Sequence, residues 1–251
     1  MPLSGCQDNA QLGRSQLILI GDDELERMSL QTELDIRRRI GVSQDYNRQR
    51  RLERIAANMA DVPGAPRPRR GFRAQLLASN DVNAFVLPNG YSGYYNGLMD
   101  FTRNDSNEIA QVMGHEMGHV TGRHGQERIS QLFAMQLGAR IVTAAATQGS
   151  RRQYSPAVGA ALGLGVQLGG QAFSREHEYE ADRLGLIYAT RAGYRPDASL
   201  QFWDRMESRF GSNSIPSFLS THPSHGDRKD RLRSLMANDS EFLSIERRSS
   251  V

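Results

Sequence analysis

Residues 105–124 read DSNEIAQVMGHEMGHVTGRH, and this stretch decides how the rest is read. Asp105 and Glu108 stand three apart just ahead of Ile109, Val112 and Met113, as in a capping box, so a helix is expected to begin here. The expected helix runs from Ser106 to Arg123. On it lie His115, Glu116, Met117, Gly118 and His119, a His-Glu-x-x-His motif. Positions i and i+4 share one helix face, so the two imidazoles can bind one Zn²⁺ between them. Glu116 lies beside the first of them, where it can act as general base on a water at the metal. The alternative, two surface histidines on an ordinary helix, fits poorly with Gly114 and Gly118. Each glycine costs about 1 kcal/mol against alanine inside a helix, and two of them point to close approach of another element or of a substrate.

A catalytic zinc with three protein ligands needs a third. The candidates fall in residues 175–182, REHEYEAD. Glu178 and Asp182 are four apart, hence on one face. Glu178 can be the ligand, with Asp182 accepting a hydrogen bond from the far nitrogen of a ligand histidine. His177 or Glu180 as ligand, or a plain charged helix face, remain open on spacing alone.

Outward from these segments the pattern is mostly helical. Helices are expected at Asp22 to Arg39 and Tyr46 to Met59, where Leu52, Ile55 and Met59 share a side. Pro63, Pro66 and Pro68 interrupt the pattern. Phe72 to Ala78 and Asn83 to Leu87 read as short strands, and Asn89-Gly90 signals a hairpin region running to Met99. Further helices are expected at Arg128 to Thr147, Pro156 to Phe173, Glu176 to Ala192, Asp197 to Phe210 and Arg228 to Ala237. The fold class is therefore α+β, mostly helical, with a small sheet or hairpin beside the motif helix.

Composition narrows the chemistry. The chain has 251 residues, a net charge of +3 and one cysteine, Cys6. One cysteine excludes an internal disulfide framework, a four-cysteine zinc site and a Cys-x-x-Cys redox pair. Of the 31 basic residues all but Lys229 are arginine. They are interspersed with acids, which describes a solvated surface and not a phosphate-binding stripe, so no nucleic-acid partner is expected. No run of 18 strongly apolar residues is present, and the Gly-rich stretch from Pro156 to Phe173 reads as a helix outside the bilayer.

The ordered motifs resemble peptidase family M48, the zinc metallopeptidases that include the CAAX prenyl endopeptidases, the heat-shock membrane protease HtpX and bacterial periplasmic relatives. The order His-Glu-x-x-His then Glu-x-x-Ala-Asp is that family's signature. Residues 83–90, NAFVLPNG, resemble its Asn-Ala-Phe-x-x-Pro-Gly-Gly hairpin. Gly97-Leu98-Met99, Ser174-Arg175, Arg183-Leu184-Gly185, Ala192 to Pro196, and Thr221-His222-Pro223 with Arg228 fit as well. The resemblance spans roughly residues 16 to 237 and implies a zincin-like domain with one Zn²⁺ on His115, His119 and Glu178. It implies Glu116 as general base, with His222 and Arg228 near the metal as oxyanion donors. Asn83, Ala84 and Phe85 are expected on the strand that meets an extended peptide. The chain departs from the pattern at Asn89-Gly90 and at residues 91–94, YSGY. If that strand receives the peptide, its preference is more aromatic and polar.

The resemblance implies a metalloendopeptidase acting on polypeptides, with unfolded or misassembled envelope proteins as substrates. The alternative is a chaperone-like binding protein whose zinc site is latent or structural. His222, near an open zinc position, can also block it in a resting state. Leu3-Ser4-Gly5-Cys6 reads as a lipobox, so Cys6 is expected to be acylated and to anchor the chain to a membrane. Gln7 after it favours the outer membrane, with a periplasmic location; the alternative is a cytoplasmic chain with a free cysteine. The expected organisation is a tether over 1–15, the metallopeptidase domain over 16–240 and a flexible tail over 241–251.

Overall fold

The computed structural model describes residues 5–144, 173–211, 216–223 and 226–249. In chain order the elements are β1 (Cys6–Asn9), β2 (Arg14–Leu17), α1 (Asp22–Arg39), α2 (Tyr46–Ala60), β3 (Arg73–Leu77), β4 (Ala84–Val86) and β5 (Tyr91–Tyr95). They continue with α3 (Asn96–Phe101), α4 (Ser106–Thr121), α5 (His124–Ala144), α6 (Arg175–Arg191), α7 (Ala198–Phe210), α8 (Ser217–Thr221), α9 (Arg228–Asn238) and α10 (Ser240–Ser249).

Local chemistry sets the helix ends. Helix α1 opens on Asp22, Asp23 and Glu24 and closes on Arg37, Arg38 and Arg39, matching acid to the amino-terminal and base to the carboxyl-terminal pole of the helix dipole. Asp45 caps α2 by accepting from the Arg48 amide, and α2 buries Leu52, Ile55 and Met59. Asp105 caps α4 by accepting from the Asn107 amide. The expected capping box is only half made, because the Glu108 carboxylate pairs instead with Arg205 of α7 at 2.6 Å.

The site is positioned by the crossing of α4 and α6. A methyl on Gly114 would lie 2.5 Å from the Gly185 carbonyl oxygen, and one on Gly118 would lie 2.6 Å from that of Ala181. The seam is backbone against backbone, the close approach expected from the two glycines. Around it packs one large core, with Leu52 and Met59 of α2, Tyr94 of β5, Ile109 and Met113 of α4, and Leu184 of α6.

The three-stranded sheet has the order β3-β5-β4, with β3 parallel and β4 antiparallel to β5. The β4–β5 turn is the hairpin signalled by Asn89-Gly90. Gly90 takes φ +80°, a region open to glycine, and the Asn89 side chain accepts from the Tyr91 amide. Because β5 is central, Tyr91 and Tyr94 are buried and do not face a substrate. The outer strands are β3 and β4, and β4 carries Ala84 and Phe85.

Other expectations are corrected. Residues 6–17 form a paired hairpin where a tether was expected. Its side chains dock on the domain: Asn9 Nδ2 donates to the Thr121 carbonyl at 3.1 Å, and Gln16 Nε2 donates to Glu127 at 2.7 Å. The expected tail over 241–251 is largely α10, which buries Phe242 and Ile245. The stretch after β5 is the short helix α3 and not an extension of the hairpin. Helix α5 begins at His124, four residues before the expected start. The expected helix Pro156 to Phe173 lies, except for Phe173, outside the described residues. Among the described residues no helix is long and apolar enough to cross a membrane.

Candidate metal centre

Helix α4 presents His115 and His119 toward α6, which presents Glu178 and Asp182 one turn apart. His222 enters from the end of α8. All five are buried. His115 Nε2 lies 3.0 Å from His119 Nε2 and 3.2 Å from His222 Nδ1. Glu178 Oε1 lies 3.2 Å from His222 Nδ1 and 3.5 Å from His119 Nε2, and its Oε2 lies 3.5 Å from His115 Nε2. Ligands on a tetrahedral zinc at 2.0–2.1 Å are separated by about 3.3 Å, and these separations bracket that value. Three imidazole nitrogens and a carboxylate converge on one point, a donor set that suits a divalent cation.

The surroundings orient these groups. Asp182 Oδ1 lies 2.9 Å from His115 Nδ1, so a proton on Nδ1 is held there and Nε2 is left bare for a metal. Arg228 lies behind both carboxylates. Its Nε and Nη2 donate to Asp182 at 2.8 and 2.6 Å, and its Nη1 donates to Glu178 at 2.6 Å and to the Pro223 carbonyl at 3.3 Å. Burial penalises the charge on Glu178, but Arg228 together with His222, His115 and His119 outweighs it and holds the carboxyl well below its usual range. Asp182 is lowered in the same way. Burial also opposes a charge on His115, yet the hydrogen bonds to Asp182 and Glu178 raise the metal-free ring to about 9. Four of the five Arg228 N–H groups are thus taken by Asp182, Glu178 and the Pro223 carbonyl, and the remaining one, on Nη2, lies on the side of His115 Nδ1 at 3.4 Å.

Glu116 is fully buried, and among the described residues neither of its carboxylate oxygens has a hydrogen-bond partner. Burial raises its pKa. The His222 ring faces it, with Nε2 3.4 Å from Glu116 Oε1. His222 therefore meets the ligand group through one nitrogen and Glu116 through the other, while Phe218 and Phe173 stack on it at 4.8 and 5.5 Å.

A second layer was not legible in the motif. His119 Nδ1 lies 2.9 Å from His124 Nδ1, and His124 Nε2 lies 2.9 Å from Glu180. The His177 ring stacks on His124 at 4.4 Å and pairs with Glu127 at 3.1 Å. His177 and Glu180, alternatives for the third ligand, sit in this layer, and Glu178 is the acid grouped with His115, His119 and His222. The sequence signal for His124 was slight: it lies five residues past His119, just outside the same helix. His225 falls outside the described residues.

A cleft of about 620 Å³ opens beside His119. It is lined by Val86, Leu87 and Pro88 at the end of β4, and by Gly125 and Phe173. A peptide laid along the β4 edge would reach the histidines from this side. Cys6 is exposed at the start of β1.

The buried histidines of His-Glu-x-x-His, an acid from a second helix and a buried glutamate beside them together form a site that could hold a metal ion. The comparison with known proteins narrows that reading. The sequence signature of peptidase family M48 matches residues 46–236, and the chain belongs to this family of metallopeptidases. Bovine "Metalloendopeptidase OMA1, mitochondrial" is 34% identical over 186 residues, covering 70% of this chain and 34% of the relative. The human protein of the same name is 28% identical over 89% of this chain and 44% of its own length. "Beta-barrel assembly-enhancing protease" of Yersinia pestis is 32% identical over 68% of this chain and 34% of the relative. The chain thus spans less than half the length of these relatives.

Proposed function

We propose that this chain is a zinc-dependent endopeptidase that cleaves unfolded or misassembled envelope proteins. One observation carries the reading: His115, His119 and Glu178 converge on one point beside a buried glutamate, Glu116, that has no hydrogen-bond donor among the described residues. These three residues would hold one Zn²⁺. Bound there, zinc acts as a Lewis acid on the scissile carbonyl and acidifies water.

The chain's own groups do the rest. Glu116 takes the proton of the attacking water, its basicity raised by burial. It then delivers that proton to the leaving amine nitrogen. Asp182 fixes the ring of His115, and Arg228 keeps Glu178 and Asp182 ionised as a positioning residue. The β4 edge at Asn83, Ala84 and Phe85 receives the substrate as an added strand, which selects extended chain. His222 holds the resting site closed, because its ring occupies the position of a fourth ligand and also faces Glu116. Moved aside, the same imidazole can serve as a donor to the oxyanion.

The printed name of the Yersinia relative, concerned with β-barrel assembly, supports envelope quality control as the setting. A periplasmic chain anchored to the outer membrane through acylated Cys6 agrees with the exposure of that residue. Casein digestion with and without chelator tests the activity. Glu116→Gln is expected to retain zinc and lose proteolysis. Full activity in that variant refutes the assignment, and chelator-insensitive holdase activity without cleavage supports a chaperone-like protein instead.

A further inference from the structure

The two ligand histidines of α4 are backed in parallel ways. Behind His115 stands Asp182, held by Arg228. Behind His119 stand His124 and Glu180, and the arginine that holds Glu180 comes from the amino-terminal hairpin. Arg14 Nε and Nη2 donate to the two Glu180 oxygens at 2.6 and 2.9 Å, and its Nη1 and Nη2 donate to the two Glu127 oxygens at 3.0 Å each. Arg14 lies outside the region matched by the family signature.

The hydrogen bonds have one consistent direction. A metal on His119 needs Nε2 bare, so the proton sits on Nδ1 and is donated to His124 Nδ1 at 2.9 Å. His124 Nδ1 must then be bare, so its Nε2 carries the proton and donates to Glu180 Oε2 at 2.9 Å. Glu180 can hold that acceptor position because the Arg14 fork satisfies both of its oxygens. The stacked His177, fixed by Glu127, closes the far side of His124. Glu127 is in turn held by Arg14 and by Gln16 of the same hairpin.

We propose that the amino-terminal hairpin is a working part of the metal centre, with Arg14 as a positioning residue that fixes the ring of His119 through Glu180 and His124. This rests on the reading that His119 holds the metal. Partners one step behind a metal ligand typically change metal affinity by 10–100-fold when removed.

The test measures zinc affinity of the full chain by competition with a chromophoric chelator, and the visible absorption of the Co²⁺-substituted protein. Arg14→Ala is expected to weaken zinc binding about tenfold or more and to shift the cobalt bands. His124→Leu should do the same, and the double variant should lose no more than either single one, because both act through one chain of contacts. Gln11→Ala removes hairpin contacts to the Gly64 carbonyl and to Tyr188 and should leave zinc affinity unchanged. A lower melting temperature in Arg14→Ala with unaltered zinc affinity and cobalt spectrum makes Arg14 merely structural and overturns the proposal. If Arg14→Ala does not fold, Glu180→Gln keeps an oxygen for His124 while discharging the Arg14 pair; unchanged affinity there overturns the proposal as well. His119→Ala separates the two levels. Parent-like zinc binding in that variant refutes the metal site itself, whereas loss there with none in Arg14→Ala refutes only the role of the hairpin.

Discussion

Replacing Gly118 with alanine tests the architecture of the site more sharply than removing a ligand. On an ordinary helix the change is favourable, by about 1 kcal/mol. Here the new methyl would sit 2.6 Å from the Ala181 carbonyl oxygen and 2.8 Å from its Cα, where ordinary contact begins at 3.4 Å. Both are backbone atoms, so α4 and α6 must separate by about 0.8 Å to relieve the overlap. The distances from Glu178 to His115 and His119 across the seam would then open from 3.5 to about 4.3 Å. Two ligands at 2.0–2.1 Å from one zinc can be at most about 4.1 Å apart, so one ion could no longer hold both. Overpacking of this kind costs about 1–3 kcal/mol, enough to outweigh the helix gain. Urea denaturation of the metal-free chain should therefore show lower stability, and a competitive zinc titration should show much weaker binding. A Gly118→Ala chain that is as stable as the parent and keeps its zinc affinity would refute the seam argument.

Three further outcomes follow from the same geometry. His222→Ala should raise basal casein hydrolysis if the ring caps the resting site; a fall would instead make His222 chiefly an oxyanion donor. Arg228→Ala strands two buried carboxylates and should destabilise the metal-free chain by about 3–5 kcal/mol in denaturant, so a loss below 1 kcal/mol would show that Glu178 and Asp182 do not need it. Burial lifts Tyr91 and Tyr95 to about 12, above the unfolded value near 10, so the fold keeps protons that the unfolded chain releases. Their stabilising share is whole below pH 10 and is lost as pH rises toward 12. A tyrosinate absorbance step at 295 nm near pH 10 in the folded chain that disappears when Tyr91 and Tyr95 are both replaced by phenylalanine would contradict this.

Much of the site was legible because its chemistry is local. His115, Glu116 and His119 follow from one helical period, whereas the spacing of Glu178 and Asp182 left His177 and Glu180 open and only the family resemblance pointed to Glu178. The bounds of α1 were legible because acids and arginines mark its two ends. What stayed hidden depends on contacts remote in sequence. Arg14 is one arginine among thirty, and only folding puts it against Glu127 and Glu180. The strands Cys6–Asn9 and Arg14–Leu17 carry almost no apolar alternation, since their side chains bond to polar groups of α4 and α5, and so they resembled a tether. Helix α10 contributes two buried residues, Phe242 and Ile245, too few to show as a periodic face. The role of Arg228 had a signal that could have been followed further. Two carboxylates one turn apart on a buried face call for a cation, and a metal answers only one of them.

The edge strand β4 has one more consequence. Edge strands that can accept a partner can also accept each other, and long flat ones template aggregates. This one is three residues long and ends two residues before Pro88, which has no amide to extend a ladder. The ladder therefore stops almost as soon as it starts. Such an edge is too short to nucleate a stack of its own copies, so the feature proposed to admit a client would also guard the chain against polymerising through β4.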